Sequence, residues 1–200
     1  MSVLPDHATP VDLAHACRLI NHGPTVLVSS AFEGRRNVMA AAWSMPVEFT
    51  PPRVAVVIDK STATRALVQG GGGFALCIPT RAQADLAYTV GSVSASEADK
   101  FERYGIAAFA SPTLGLPLLT GCAGWLECRW IAEPHAETAY DCFFGEVLWA
   151  AADERVFGRG RWSFRSDNTD LHTLHHLGAG LFAVPSHSVQ AQLLPHLPGR

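Results

Sequence analysis

The spacing of strand-like segments between Thr25 and Ile58 constrains the fold of this chain more than any other feature. Runs rich in Val and Ala, namely TVLVSSAF, NVMAAAWS and RVAVVID, follow one another with only short turn segments such as EGRR and TPP between them. These connections are too short for the crossover that joins parallel strands. They predict an antiparallel meander and argue against a doubly wound parallel fold.

Three later segments extend the predicted sheet. FALCIP, GWLECRWI and YDCFFGEVLWAA have the same strand-like character, which gives six predicted strands in all. Helical segments are predicted to begin near residues 61, 81 and 96, and GGGG at 70–73 is interpreted as a helix C-cap and turn. Because closure removes exposed sheet edges, six strands with short helices predict a closed barrel.

Composition limits the domain organisation and the class of partner. With 48% hydrophobic and 16% charged residues, the chain is predicted to be one domain over residues 1–200, with a helical lead-in at 10–20 and a C-terminal extension at 150–200. The net charge of -3 and the absence of a Lys/Arg block argue against a nucleic-acid partner and an anionic membrane surface. No apolar run is long enough for a spanning helix, so we expect a soluble, cytoplasmic protein with no membrane partner.

The cysteines support the same compartment. Five cysteines are widely spaced and never form a C-x-x-C pair, which favours reduced, mostly buried thiols over disulfides or a zinc site.

One segment, VVIDKSTATRALV, has the chemistry of a phosphate site. A strand ends at Asp59, Lys60 adds a cation, and hydroxyl groups follow at the predicted start of a helix, where backbone N–H groups are unpaired. The alternative is that Ser61 or Thr62 only caps the helix. In GSVSASEADKFERYG, similarly, Ser94 and Glu97 have the spacing of a capping box.

Taken together, the motifs identify a family. NVMAAAWSMPVEFTPPRVAVVIDKST, GSVSASEADKF, LECR and FFGEV occur in the order and approximate spacing of the flavin reductase-like, FMN-binding split-barrel family, which this chain resembles from Pro24 to Trp149. The resemblance implies a mainly β fold with helices, built as a six-stranded split β-barrel, and FMN as cofactor. It implies no metal.

The resemblance also implies which residues hold the cofactor. The strand from Asn37 to Ser44 would run along the flavin ring, with small residues that let the backbone approach and with Trp43 and Met45 as apolar walls. Hydroxyl groups near residue 61 would contact the phosphate, and the loop after residue 91 would close over the flavin. The matching positions are Asn37, Met39, Ala40, Ala41, Ala42, Trp43, Ser61, Thr62, Thr64, Ser92, Ser94 and Lys100.

Three functions agree with the resemblance. The first is an oxidoreductase that passes electrons from NADH or NADPH to flavin, or onward to a partner monooxygenase or redox protein. The second is an electron-transfer protein of the flavoredoxin-like branch, and the third is a non-catalytic flavin-binding protein. Tyr140 stands where many family members carry a histidine near the nicotinamide, which favours the second. Flavins accept hydride unaided, so no catalytic residue of the protein is expected.

Two further expectations concern the end of the chain and its assembly. His172 and His176 have the spacing of one helical turn, but no third ligand accompanies them, so a structural or substrate-facing role is favoured over metal binding. A homodimer is expected, because large apolar groups alternate along two late strands and leave apolar surface on both faces. These groups are Trp125, Trp130, Phe143, Phe144 and Trp149.

Overall fold

A computed structural model of the protein describes residues 4–94 and 99–194. The strands are β1 (Ala8–Pro10), β2 (Val26–Phe32), β3 (Arg35–Ala41), β4 (Ser44–Phe49), β5 (Pro52–Val57), β6 (Gly73–Ile78), β7 (Ala108–Ala110), β8 (Pro117–Leu119), β9 (Gly124–Ile131), β10 (Cys142–Asp153), β11 (Phe157–Gly158), β12 (Arg161–Trp162), β13 (His175–Gly178) and β14 (Leu181–Ala183). The α-helices are α1 (Leu13–Ala16), α2 (Ala63–Gly71), α3 (Ala84–Ser92), α4 (Lys100–Arg103) and α5 (Pro134–Tyr140). Short 3-10 helices occupy Cys17–Leu19, Arg81–Gln83 and Thr169–Leu171.

One large antiparallel sheet organises the fold. Its strands lie in the order β3, β2, β6, β9, β10, β5, β4, and β1 pairs with the far end of β10. The prediction of a mainly β, antiparallel protein with helices is therefore confirmed. The prediction of a closed six-stranded barrel is wrong, because this sheet has eight strands and its two terminal strands, β3 and β4, are not hydrogen-bonded to each other.

The segment from Asn37 to Pro52, predicted as one strand, is divided between two strands. β3 ends at Ala41 and β4 begins at Ser44, so only Ala42 and Trp43 join the two opposite edges of the sheet. Three trans peptide units span at most about 11 Å, so the sheet must curl until its two edges come close together at this point. The simple meander is wrong for the same reason, since β3 and β4 are consecutive but not paired.

The central strands are buried on both faces. In β6, Phe74 and Leu76 point into one apolar cluster, whereas Ala75 and Cys77 point into a second cluster on the other face. This explains why FALCIP is continuously apolar rather than alternating, as is usual for a strand covered on both sides. Trp125 and Phe143, expected at a dimer interface, are instead core residues, only 2% and 0% exposed.

The local elements follow the sequence in most places. The predicted helices near residues 61 and 81 correspond to α2 and to the 3-10 turn leading into α3, and Gly72 ends α2 in the left-handed conformation, as a C-cap. The helix expected to begin at Ser96 starts outside the described residues, which resume before α4. The N-terminal lead-in is helical over residues 13–19, but sequence reasoning missed β1 before it. All five cysteines are free thiols, and four of them are buried.

The C-terminal region is not helical where His172 and His176 have the spacing of one helical turn. Residues 175–183 form a hairpin of β13 and β14, so His172 and His176 do not lie on one helix face. Within the described ranges, no helix is long and apolar enough to cross a membrane.

Candidate functional site

A trough follows the chain from β3 across the two-residue link to β4. It consists of three adjoining cavities, which we call the polar, central and edge cavities, with volumes of about 180, 270 and 230 Å³. Ala40, Gly91 and Ser92 line both the polar and the central cavity, and Ala42 lines both the central and the edge cavity. The three cavities therefore form one elongated depression with β3 as its floor.

Most of the residues predicted to contact the cofactor meet in the polar cavity. Its lining includes Asn37, Met39, Ala40, Ser61, Thr62, Ser92, Ser94 and Lys100. These residues come from β3, from the two positions just before α2, and from the end of α3, Ser94 and the first residue of α4, which are far apart in sequence. Ala42 and Trp43 lie further along the trough, where both line the edge cavity.

The backbone of β3 offers hydrogen-bonding groups to the trough. Lys100 Nζ donates to Val38 O, so the Val38 carbonyl points away from β2. Because these directions alternate along an antiparallel edge strand, the N–H and C=O of Ala40 also face the free edge. Space beside them is limited, since a Cβ added to Gly91 would lie 3.1 Å from Ala40 Cβ. Small residues are therefore required where the backbone is offered to a ligand.

Lys100 is buried beside the polar cavity and joins three elements. Its ammonium donates to Val38 O at 2.9 Å and to Val90 O at 2.7 Å, and its side chain is only 3% exposed. Desolvation lowers the pKa of Lys100 to about 8. An ammonium has three protons, so one donor remains after these two bonds. Lys100 thus combines a structural role with a cation at the cavity wall.

The hydroxyl groups before α2 do not cap that helix. Ser61 donates through both N and Oγ to Asp59 Oδ1, and Thr62 Oγ1 donates to Asp59 O. The Ser61 hydrogen bonds are the main reason that the pKa of Asp59 is lowered. No side chain caps the N-terminus of α2 at Thr62, and no hydrogen bond from the backbone N–H of Ala63 is present in the described structure. The alternative of simple capping therefore does not describe this helix start.

The side chains of two predicted contact residues, Thr64 and Ala41, do not reach the trough. Thr64 is fully buried and does not line the trough; its Oγ1 accepts a hydrogen bond of 2.9 Å from Asn37 Nδ2. Thr64 therefore orients Asn37, whose own Oδ1 is buried without a partner at the polar cavity. The side chain of Ala41 is also buried and packs into the apolar core. Only the backbone of Ala41 remains as a candidate contact.

Sequence reasoning missed the residues that enclose the central cavity. Tyr88 comes from α3, His176 and Phe182 come from the C-terminal hairpin, and the last two rings lie 5.4 Å apart. Thr25 also lines this cavity, and its Oγ1 is buried without a hydrogen-bond partner. His176 had been singled out for its spacing from His172, whereas nothing in the sequence distinguishes Thr25 from other residues at strand starts.

The C-terminal histidines make local contacts. His172 Nε2 lies 3.0 Å from Arg165 O and 2.9 Å from Asn168 Oδ1, which satisfies this buried ring within its own loop. His176 lines the central cavity instead. In the part of the chain that the structure describes, no group of three or more His, Cys, Asp or Glu side chains is arranged to hold a metal ion.

The trough suits an elongated ligand with an anionic end and a flat ring. The polar cavity supplies an ammonium, hydroxyl groups and the open start of α2, whose dipole favours a phosphate. The unpaired Asn37 Oδ1 and Thr25 Oγ1 are positioned where a polar ligand would satisfy them. Apolar and aromatic side chains form the walls of the central and edge cavities. These residues therefore fit the FMN that the resemblance to the family implies.

Comparisons with known proteins support this interpretation. The family model described as flavin reductase like domain matches residues 18–167. The Escherichia coli (strain K12) protein YddH is 54% identical over 185 residues, which cover 91% of this chain and 97% of YddH.

Two solved structures show the same architecture. An FMN-binding domain of a flavin reductases-like enzyme from Shewanella baltica OS155 has a TM-score of 0.89 and 41% identity, covering 95% of this chain and 100% of that one. Flavoredoxin of Desulfovibrio vulgaris (Miyazaki F) has a TM-score of 0.72 at 23% identity, covering 84% and 90%, which shows a shared fold. The family membership predicted from the motifs is confirmed, and the chain belongs to the flavin reductase-like family.

Proposed function

We propose that the trough binds FMN and that the protein is an oxidoreductase which transfers electrons from NADH or NADPH to flavin or to a downstream acceptor. One observation carries the proposal: the buried cation Lys100 and the uncapped start of α2 meet at one end of a trough whose floor is exposed strand backbone. The Shewanella baltica relative, described as FMN-binding, supports the choice of flavin.

Each part of the trough has a role in this proposal. Ser61, Thr62 and Lys100 would hold the phosphate. The hydroxyl protons of Ser61 and Thr62 would turn from Asp59 to the phosphate oxygens, and Lys100 would direct its third ammonium proton to them. Asn37, which Thr64 holds in place, would hydrogen-bond the ribityl hydroxyl groups. Ser92 and Ser94 would enclose the ribityl group between the phosphate and the ring. The backbone from Met39 to Ala42 would hydrogen-bond the ring edge, with Trp43 as an apolar wall.

The protein residues position and shield the reacting groups. Bound FMN supplies the chemistry of hydride and electron transfer. Tyr88 and Phe182 would exclude water from the ring, and Thr25 Oγ1 would donate or accept one hydrogen bond inside the central cavity. No acid or base from this chain is assigned to the reaction.

Flavin analysis tests the proposal directly. Flavin released from the denatured protein should be FMN by mass, and titration of the apoprotein should give tighter binding of FMN than of riboflavin. Absorbance near the flavin band should bleach on anaerobic addition of NADH or NADPH. A protein that binds neither FMN nor FAD at micromolar concentration contradicts the proposed function.

A flavoredoxin-like electron-transfer role is the second candidate, and Tyr140 favours it. Tyr140 is exposed at the end of α5 and lines none of the three cavities, but His135 packs edge-on against it with ring centroids 5.8 Å apart. An FMN-loaded protein that is not reduced by either nicotinamide, but is reduced by a low-potential redox protein, would select this role. If neither NADH, NADPH nor the low-potential redox protein reduces the bound FMN, the third candidate, a non-catalytic flavin-binding protein, would be selected.

Assembly as a homodimer is part of the proposal. The aromatic side chains that suggested it are partly core residues, but the edge strand β4 and its surroundings give a better basis. Trp43, Met45 and Phe49 are 74%, 58% and 68% exposed, and Tyr140 is also exposed. A second subunit that covers this surface would also close the edge cavity. The electron acceptor would be a monooxygenase or redox protein that approaches the remaining open side.

The organisation of the chain completes the proposal. We propose one FMN-binding domain over residues 1–200, in which the C-terminal extension contributes His176 and Phe182 to the trough. The protein would act in the cytoplasm, where its free cysteines remain reduced.

A further inference from the structure

A cluster of side chains behind the trough joins the C-terminal hairpin of β13 and β14 to the body of the protein. His22 lies in the turn before β2, and its ring centroid is 5.3 Å from that of His175, the first residue of β13. Both Nε2 atoms face one hydroxyl group, since Thr173 Oγ1 lies 3.0 Å from His22 Nε2 and 3.4 Å from His175 Nε2. We call His22, Thr173 and His175 the histidine latch.

Aromatic rings pack against His22 and limit its access to water. Its ring centroid lies 5.2 Å from that of Trp162 in β12 and 6.0 Å from that of Phe164. The second ring nitrogen, Nδ1, is buried and has no hydrogen-bond partner among the described residues. A protonated imidazole donates from both nitrogens, so a charged His22 would leave one buried donor unpaired.

The charged groups around the latch offer no compensation for a positive charge. Within the described ranges, neither His22 nor His175 forms an ion pair with a carboxylate. The two carboxylates on the neighbouring segments already pair with arginines, Asp167 with Arg165 and Asp170 with Arg81. The other ionisable side chains on these segments are Arg18, Arg161, His172 and His176.

Both rings are therefore neutral near pH 7. Burial lowers the pKa of His22 to about 4, and repulsion from His175 adds to this shift. Burial also lowers the pKa of His175, although a hydrogen bond to the Gly23 backbone opposes the effect. If the hairpin moved away, both rings would regain contact with water and bind protons more readily. Acid therefore favours the separated arrangement.

The latch and the trough use opposite faces of β13. Successive side chains of a strand point to opposite sides, so His175 faces the latch while His176 lines the central cavity. Phe182, which also lines this cavity, pairs with His176 across the hairpin. The hairpin lies outside residues 18–167, which the family model matches. Release of His175 would withdraw two walls of the central cavity.

We propose that the histidine latch is acid-sensitive: it holds the C-terminal hairpin against the trough while both rings are neutral, and proton uptake by the latch releases the hairpin and opens the central cavity. His22 is thus a positioning residue, which acts on the cavity through His175 and β13. The consequence for flavin rests on the proposed function, whereas the movement of the hairpin does not.

Hydrogen exchange of the full chain at pH 7.5 and 5.5, corrected for the intrinsic effect of pH on exchange, tests the inference. Between the ordinary pKa of 6.5 and the lowered value of about 4, His22 gains a proton only in the open arrangement. The opening constant of the hairpin should therefore rise about tenfold from His22 alone, and further where His175 contributes. An equal rise in β6, an interior strand, would indicate global unfolding and overturn the latch.

Glutamine variants identify the titrating groups. His22→Gln keeps a hydrogen-bonding amide near Thr173 but cannot take up a proton, so it should lose the tenfold rise, and His175→Gln should lose the remainder. His187→Gln is the matched control, because it removes an exposed histidine of the C-terminal segment and should leave the rise intact. A tenfold rise that persists in both latch variants would overturn the inference.

An NMR titration of the wild-type protein keeps the test decisive if His22→Gln does not fold. The His22 ring should remain neutral at pH 5.5 as long as the hairpin is closed. A His22 ring that is protonated at this pH, in a protein whose hairpin amides stay protected, would show that the latch tolerates the charge and would overturn the inference.

Riboflavin separates this inference from the proposed function. It carries no phosphate, whose own titration near about pH 6 would obscure an FMN experiment. Saturating riboflavin should lower the opening constant of the hairpin at both pH values, because the hairpin encloses the central cavity. Unchanged exchange in a protein that binds riboflavin would overturn the link to the trough. Acid-dependent opening in a protein that binds no flavin would contradict only the proposed function.

Discussion

The two edge strands of the sheet, β3 and β4, are consecutive in the chain but differ in what covers them and in the polarity of the groups they present. At β3, one edge is covered by α3 and α4, and the Val38 carbonyl is satisfied by a buried ammonium. At β4, the other edge exposes Met45, Val47 and Phe49 to solvent. An exposed apolar edge strand invites pairing or packing with another chain, whereas a covered edge with inward-facing polar groups retains a small ligand.

Under the proposed function, this contrast would let one sheet both bind a ligand and form a subunit interface. The β3 edge carries unpaired polar atoms and limited space, which are the marks of a ligand site. The β4 edge exposes large apolar side chains at alternate positions, Met45, Val47 and Phe49, which is typical of a protein interface. If the assignment is correct, variants at the two edges must have separable effects.

The largest effect is expected at the β4 edge. Met45→Lys should raise the dissociation constant of the proposed homodimer by at least about a thousandfold, because twofold symmetry would bury two unpaired ammonium groups. Sedimentation velocity from nanomolar to micromolar protein measures it. Leu193→Lys, at a side chain 98% exposed in the C-terminal segment, is the control. A wild-type protein that sediments as a 21.4 kDa monomer throughout this range would refute the dimer.

At the phosphate end of the β3 edge, Ser61→Ala with Thr62→Ala should weaken FMN by about tenfold or more. Hydrogen bonds to a charged group contribute about 1.5–3 kcal/mol each, which the loss of the present hydrogen bonds to Asp59 partly offsets, and only the phosphorylated flavin would form them. Riboflavin affinity, measured in the same titration, is the internal control and should stay constant. Loss of both affinities to the same degree would remove these hydroxyl groups from the phosphate site.

The pH dependence of binding should single out Lys100. Its pKa is lowered to about 8, so the free protein loses this charge as the pH rises through 8, and the FMN dissociation constant should then rise up to tenfold per pH unit. Between pH 8 and its ordinary value of 10.5, the unfolded chain retains a proton that the folded chain has lost, so stability should rise with pH. Riboflavin binding that follows the same profile as FMN would exclude a phosphate contact.

The smallest effect is expected where β3 meets α3. In Gly91→Ala, the new Cβ would lie 3.1 Å from Ala40 Cβ and should narrow the trough. FMN and riboflavin should both bind about threefold more weakly, because in the proposed binding mode the strand backbone beside Ala40 contacts the ring rather than the phosphate. Unchanged affinity for both flavins would show that the ring lies elsewhere along the trough.

Much of the fold could be predicted from turn chemistry and strand periodicity, but the break at Ala42 and Trp43 could not. Neither position is Gly or Pro, and the single polar residue that follows, Ser44, is not enough to mark a strand boundary. The division is set by tertiary structure, because the chain must pass from one sheet edge to the other. The closed barrel was predicted because closure removes exposed sheet edges, whereas in the structure helices α3 and α4 cover the β3 edge instead.

The candidate site, like the fold, could be predicted from the sequence only in part. Ser61, Thr62 and Lys100 were predicted from a motif, and the structure places all three at one cavity. Thr64 was predicted as a contact because hydroxyl groups at this spacing share a helix start, yet its burial makes it a support for Asn37. The C-terminal hairpin was missed because the spacing of His172 and His176 imitates a helical turn. Only the three-dimensional structure reveals which face such residues share.

The two-residue link between the edges would make the proposed assembly and the proposed flavin binding mutually dependent. Ala42 lines both the central and the edge cavity, so a neighbour that packs on Trp43 holds the end of the trough floor in place. By thermodynamic linkage, a subunit contact that favours the flavin-binding arrangement must itself be strengthened by flavin to the same degree. The apparent affinity for FMN should therefore increase with protein concentration, and the dimer should be tighter in the holoprotein than in the apoprotein.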